Sequence, residues 1–260
     1  ARSLKFYRFI KLLLQYLETP ILAIHAQSSI DAERFAAVFN KPVFNSSNLK
    51  YALYLEEYDS SSMRKEWGFG IDDFIICWGS SRPGEEALLI SILPELSLSI
   101  PNLKIIIAPR HLERLPELQN LLIETNYKKY SDRIESISAN ILLIDEMGVL
   151  PKAYAICDIA IVGGSFRDFG GHNPLEPAFY SRPIVIGEFH NSCKESVTKL
   201  QENAGIMISD AKSLLHDLQK LASNPALRTK MGKNSCQVLR NNSSALNIQL
   251  EAIIQAASEN

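Results

Sequence analysis

The chain has 260 residues, with 27 Lys and Arg against 29 Asp and Glu and a formal net charge of −2. That balance gives no support to bulk nucleic-acid binding, and the length allows one large domain or two small ones with ample core. Cys77, Cys157, Cys193 and Cys236 show neither metal-ligand spacing nor a disulfide pattern and read as free thiols; no apolar run reaches membrane-spanning length, and no stretch reads as a signal peptide.

Residues 1–17 set Arg2, Lys5, Arg8 and Lys11 among Leu, Phe and Tyr. This basic amphipathic segment suits either a helix packed at a domain edge or contact with an anionic membrane. From about residue 73, strand-like runs alternate with helical spacing. The expected strands are Phe74–Trp78, Leu103–Ala108, Ile141–Ile144, Ile159–Val162, Pro183–Ile186 and Gly205–Ile208. Glu85–Leu98, Leu112–Thr125 and Val149–Cys157 carry apolar residues at helical spacing, and further helices are expected at 195–203, 211–222, 226–240 and 245–257. Continuous apolar strands alternating with amphipathic helices predict an α/β fold, a Rossmann-like parallel sheet covered by helices on both faces. Ligands bind such sheets outside the carboxyl ends of the strands, so each loop after a strand is a candidate site.

Four of these loops carry unusual chemistry. After Ile159–Val162 comes Gly163-Gly164-Ser165 and then Gly170-Gly171-His172-Asn173-Pro174-Leu175-Glu176-Pro177. The glycines allow close backbone approach to a ligand, and Asn173-Pro174 reads as a helix start whose free N–H groups suit an anion. Glu176 can complement the helix dipole or accept hydrogen bonds from sugar hydroxyls. The first strand is followed by Gly79-Ser80-Ser81-Arg82-Pro83-Gly84-Glu85-Glu86, the second by Pro109-Arg110-His111-Leu112-Glu113-Arg114, and the third by Asp145-Glu146-Met147-Gly148. Arg110 suits bidentate phosphate binding, or it pairs with Glu85 or Glu86; His111 assists it or caps the next helix. Placed along one sheet edge, the four loops point to a pocket for a nucleoside mono- or diphosphate.

These runs, in this order, resemble the signature motifs of the 3-deoxy-D-manno-octulosonic acid (Kdo) transferases of bacterial lipopolysaccharide synthesis. Ser3-Leu4-Lys5 with Tyr7, Ala26-Gln27-Ser28, Asp31-Ala32-Glu33-Arg34-Phe35 and Asn48-Leu49-Lys50 resemble that family's interdomain region. The resemblance implies the C-terminal, donor-binding half of a GT-B glycosyltransferase. Residues 1–50 would be the end of an acceptor domain and interdomain segment, 51–240 the CMP-Kdo domain, and 241–260 a helix crossing back. The catalytic glutamate base is expected outside this chain, with no catalytic residue within it. Kdo would pass from CMP-Kdo to a lipid A precursor with inversion, at the cytoplasmic face of the inner membrane through peripheral contact, without metal or cofactor and without nucleic acid.

The implied donor site comprises Ser80, Ser81, Gly84, Glu85, Arg110, His111, Met147, Gly148, Gly163, Gly164, Ser165, Gly171, His172, Asn173, Glu176 and Asn191. Arg110 and the N–H groups of Gly163–Ser165 and the 173–177 helix start would hold the departing phosphate. Glu176 would hold the ribose, His172 and Asn173 would line the phosphate and Kdo region, and main-chain groups near Met147-Gly148 would read cytosine. Three departures from the family pattern stand out: Gly187-Glu188-Phe189-His190-Asn191 at the fifth loop, Arg82 where His is frequent, and Ser81 where Thr is frequent. Two other classes remain open. One is a cytidine-nucleotide binding module without catalysis; the other is an NAD-dependent oxidoreductase, against which stands the lack of an early Gly-x-Gly-x-x-Gly run.

Overall fold

The computed structural model describes residues 21–46, 48–132, 139–243 and 245–258. The expected amphipathic segment at 1–17, with Ser3-Leu4-Lys5 and Tyr7, lies outside them. The chain divides into two compact units, one of residues 1–53 with 239–260 and one of residues 54–238.

In the smaller unit, β1 (Ile24–Ala26) pairs in parallel with β2 (Val43–Asn45), and α1 (Ser29–Ala36) connects them. Ser28 caps α1 by accepting the Asp31 N–H at 3.1 Å, and Asn48 caps the 3-10 turn Leu49–Tyr51 in the same way.

The larger unit opens with α2 (Ser60–Glu66) and continues through β3 (Phe74–Ser81), α3 (Glu85–Ser99) and β4 (Leu103–Pro109). Next come α4 (Leu115–Leu121), β5 (Tyr127–Lys129), β6 (Ile141–Leu143), α5 (Leu150–Ile156) and β7 (Ile159–Val162). It ends with α6 (Leu175–Phe179), β8 (Ile184–Gly187), α7 (Lys194–Glu202), β9 (Ile206–Ser209), α8 (Leu214–Ala222) and α9 (Pro225–Asn242), whose last residues enter the smaller unit along with α10 (Ala245–Ser258).

All strand pairs of the larger unit are parallel, in the order β5-β6-β4-β3-β7-β8-β9. The expected α/β class, with a covered parallel sheet, is what forms. Successive residues of β3 show why its sequence is apolar throughout. Ile76 and Trp78 pack with Leu89 and Leu96 of α3, Leu118 of α4 and Leu214, Leu218 and Leu221 of α8. Ile75 and Cys77 turn the other way, onto Trp67, Phe69 and the α5 residues Ala153, Tyr154 and Ile156. Both faces are covered, so alternation has no polar side to show.

Strand β7 forms over the expected residues. β3 runs three residues further than expected and takes Ser80 and Ser81 into the strand. The single helix expected at Leu112–Thr125 divides into a 3-10 turn, Leu112–Arg114, and α4, because Pro116 sits in the first turn of the latter.

Candidate functional site

Strand order decides where a site can form. β3 lies between β4 and β7; the connection after β3 runs to β4 and the one after β7 to β8, in opposite directions, so the order switches at the carboxyl ends of β3 and β7, the place where such sheets bind ligands. The loops after β3, β4 and β7 therefore meet, as the sequence predicts. Ser81 pairs with Pro109, and the Arg110 N–H donates to Ser81 O at 3.0 Å, which sets Arg82 and Arg110 side by side at the ends of neighbouring strands.

Glu85 corrects the expected assignment. It is fully buried, and its carboxylate accepts four backbone N–H groups: Arg82 and Gly164 at 2.8 Å, Ser165 and Phe166 at 2.9 Å. Burial raises this carboxyl above the usual range, while the four N–H groups pull it down. Glu85 thus ties the loop after β3 to the loop after β7 and has no oxygen left for a ligand. The same bonds remove the expected phosphate donors. Gly164 and Ser165 give their N–H groups to Glu85, and Gly163 gives its own to Gly79 O.

The expected contributions of Ser165, Ser81 and α6 change as well. Ser165 is fully buried; its hydroxyl donates to Val162 O and accepts the Gly187 N–H. Ser81, also fully buried, donates to Glu86, which is held by a two-pronged contact from Arg114 at 2.8 and 3.1 Å. Arg114, not Arg110, is the partner of that carboxylate. Helix α6 spans only five residues, and its Leu175 N–H is taken by Asn173 Oδ1 at 3.1 Å, so it has little dipole or free N–H to offer an anion.

Of the remaining expected residues, Arg110, His111, His172 and Glu176 lie close to one another at this edge. Arg110 is exposed and has no ion-pair or side-chain hydrogen-bond partner among the described residues, and it acts electrostatically on both His172 and Glu176. Glu176 is partly buried, which raises its carboxyl, against a hydrogen bond from Asn173 and the charge of Arg110. His172 lies against Gly164, whose added Cβ would come within 2.8 Å of the imidazole. Its pKa is lowered to about 4 by burial first and then by Arg110, Arg82 and His111, so the ring is neutral at neutral pH. His111 contacts Arg82 through Nε2 and Glu113 through Nδ1 at 3.4 Å. Gly84 has φ +86° and lies beside Arg167, and Gly171 (φ +76°) packs against His190 and Cys193.

Two expected residues beyond these loops sit in the open. Met147 is 75% exposed, and Gly148 (φ +80°) has open space at its Cβ position. Asp145, read as part of that loop, is tied instead to the Ser131 N–H and hydroxyl at 2.9 and 2.6 Å. Asn191 is exposed at the start of a 3-10 turn, while its neighbour Ser192 donates its N–H to Gly170 O. Sequence reasoning did not anticipate Phe169, whose ring lies 4.5 Å from the Arg82 guanidinium. Its one signal is an aromatic residue directly before the second glycine pair.

No family model matches the chain. It is 30% identical over 269 residues to a 3-deoxy-D-manno-octulosonic acid transferase of Haemophilus influenzae, covering 97% of this chain and 61% of that protein. The chain is a relative of the Kdo transferases. The Kdo transferase of Aquifex aeolicus is 30% identical over 74% of the chain and 52% of its own length. A bifunctional glycosyltransferase/methyltransferase of Fusobacterium nucleatum is 35% identical over 85% of the chain and 35% of its own length. The chain therefore spans about a third to three fifths of the curated Kdo transferases and related enzymes it matches.

Among solved structures, the C-terminal CMP-Kdo binding domain of WaaA from Acinetobacter baumannii superposes with a TM-score of 0.64 at 24% identity, over 69% of this chain and 95% of that one. A glycosyltransferase from Rickettsia africae gives a TM-score of 0.57 at 13% identity, over 94% of this chain and 66% of its own. The fold is that of a GT-B glycosyltransferase's C-terminal half.

Proposed function

We propose that the unit of residues 54–238 binds CMP-Kdo at the sheet edge beyond β3, β4 and β7, as the donor half of a Kdo transferase acting on a lipid A precursor. The observation that carries this reading is the meeting of the matching loop motifs after β3, β4 and β7 at one sheet edge, in a chain similar over nearly its whole length to a Kdo transferase. The likeness to a domain described as CMP-Kdo binding supports the choice of nucleotide.

When an acceptor hydroxyl attacks the anomeric carbon, the bond to CMP breaks and negative charge grows on the departing phosphate. Arg110, without an internal anion, is positioned to meet that charge. Because the Gly164 and Ser165 N–H groups are committed to Glu85, the glycine loop contributes shape and Arg110 contributes charge. Glu176 accepts hydrogen bonds from the ribose hydroxyls, and neutral His172 and Asn173 border the phosphate and sugar. The main chain near Met147-Gly148 is assigned to the base. The attacking hydroxyl is deprotonated by a base outside residues 54–238. Action at the inner membrane belongs to the same proposal; no helix among the described residues is long and apolar enough to cross a membrane.

Calorimetric titration with CMP tests the assignment. Arg110→Ala is expected to weaken CMP by about tenfold to a hundredfold, the value of one charge-assisted contact. Glu176→Ala is expected to weaken CMP more than it weakens cytosine base alone. Unchanged CMP affinity in both variants would overturn it.

A further inference from the structure

We propose that Arg82 is a second anion anchor, separate from Arg110, which recognises the carboxylate of the donor sugar and so selects an acidic sugar over a neutral hexose. The inference rests on the CMP-Kdo reading and adds to it a residue that decides specificity.

Arg82 is a partly buried cation without a compensating anion. Its Nη1 meets His111 Nε2, its guanidinium lies over the Phe169 ring at 4.5 Å, and its Nε is enclosed with no hydrogen-bond partner. No carboxylate lies within ion-pair distance of it among the described residues. Arg114, also partly buried, is held by both Glu86 and Glu117. Removing an arginine from bulk water without an anion is costly, and a site that keeps one in this state is prepared for an anion from outside.

The surroundings orient the group. His111 faces Glu113 through Nδ1, which leaves Nε2 to accept from Arg82. Phe169 fixes the guanidinium plane by cation–π contact. The Arg82 stem and the His172 ring converge on Gly164, where an added Cβ would lie 3.5 and 2.8 Å from them. His172 Nε2 is likewise enclosed and unpartnered.

Arg82 and Arg110 stand at the ends of adjacent strands, about 5 Å apart in backbone spacing. Two cations at neighbouring strand ends can meet two anionic groups of one ligand. In CMP-Kdo the second anion is the carboxylate of the octulosonic acid. A planar carboxylate matches the edge of a guanidinium held flat.

The test compares CMP, CMP-Kdo and CDP-glucose by calorimetry on the full chain, with Arg82→Gln, Arg82→Lys, Phe169→Leu and Arg110→Gln. Arg82→Gln is expected to leave CMP affinity within about twofold, which also shows that it folds, while CMP-Kdo weakens about tenfold to a hundredfold. Arg82→Lys should recover part of the loss, and Phe169→Leu should show a smaller loss in the same direction. Arg110→Gln should weaken both ligands equally. Equal losses of CMP and CMP-Kdo in Arg82→Gln would make Arg82 part of the phosphate site and overturn the proposal, as would no loss of either. Wild-type preference for CDP-glucose over CMP-Kdo would also overturn it. Failure of the wild type to bind CMP would instead refute the nucleotide reading beneath it.

Discussion

Glu85 shows most directly how one side chain shapes this molecule. Four N–H groups from two loops end on its carboxylate, and three of them come from a segment 79 to 81 residues away. Glu85→Ala strands those donors in the interior and is expected to cost on the order of 3–5 kcal/mol in urea unfolding. Loss below about 1 kcal/mol would mean that the loops are held by other contacts. His172 makes a pH prediction at the same scale. Its folded pKa is about 4 against an ordinary 6.5, so the unfolded chain takes up a proton in that window and the folded chain does not. The corresponding stability is fully present above pH 6.5 and is lost as pH falls toward 4. The contribution is about 1–3 kcal/mol for a ring that is only partly buried. Raised Glu85 and Glu176 act in the opposite direction over part of that range, so the comparison must be made with His172→Asn. That variant is expected to unfold with a flatter acid limb in pH-dependent denaturation; an unchanged slope would remove His172 as its source.

At the scale of elements, the sheet was legible because a strand buried on both faces must be apolar without interruption. β7 and most of β3, β4, β8 and β9 follow from that rule. β5, with Tyr127-Lys128-Lys129, was not legible, since a three-residue edge strand needs neither a long apolar run nor two covered faces. The loops were legible as a group through their glycines and charges, whereas their internal bonds were not. Spacing cannot show that the Gly164 and Ser165 N–H groups face a glutamate, or that Arg82 stacks on Phe169. Gly163 separates close packing from backbone strain. A Cβ there would lie 2.4 Å from Ser80 O, a main-chain atom fixed in β3. Gly163→Ala is expected to cost about 2 kcal/mol or more and to weaken CMP, whereas Gly148→Ala, with open space around it, is expected to cost about 1 kcal/mol from its positive φ alone. Thermal unfolding of the two variants checks the order; equal costs would contradict the packing argument.

For the whole molecule, the parallel sheet, its switch point between β3 and β7 and the likeness to Kdo transferases lead to one account. In the proposed reading the larger unit holds a nucleotide sugar, with buried Glu85 as the frame of the loops and Arg110, Glu176, His172 and Arg82 toward the ligand. The sequence signalled which loops meet at this sheet edge more clearly than the bonds within them. The most direct measurement is a crystal structure of the chain with CMP bound. The phosphate is expected within ion-pair distance of Arg110, the ribose hydroxyls on Glu176, and the Glu85 carboxylate still bonded to Gly164, Ser165 and Phe166. A nucleotide bound away from the β3 and β7 strand ends, or a phosphate seated on the Gly164 and Ser165 N–H groups with Glu85 displaced, would contradict the proposed reading.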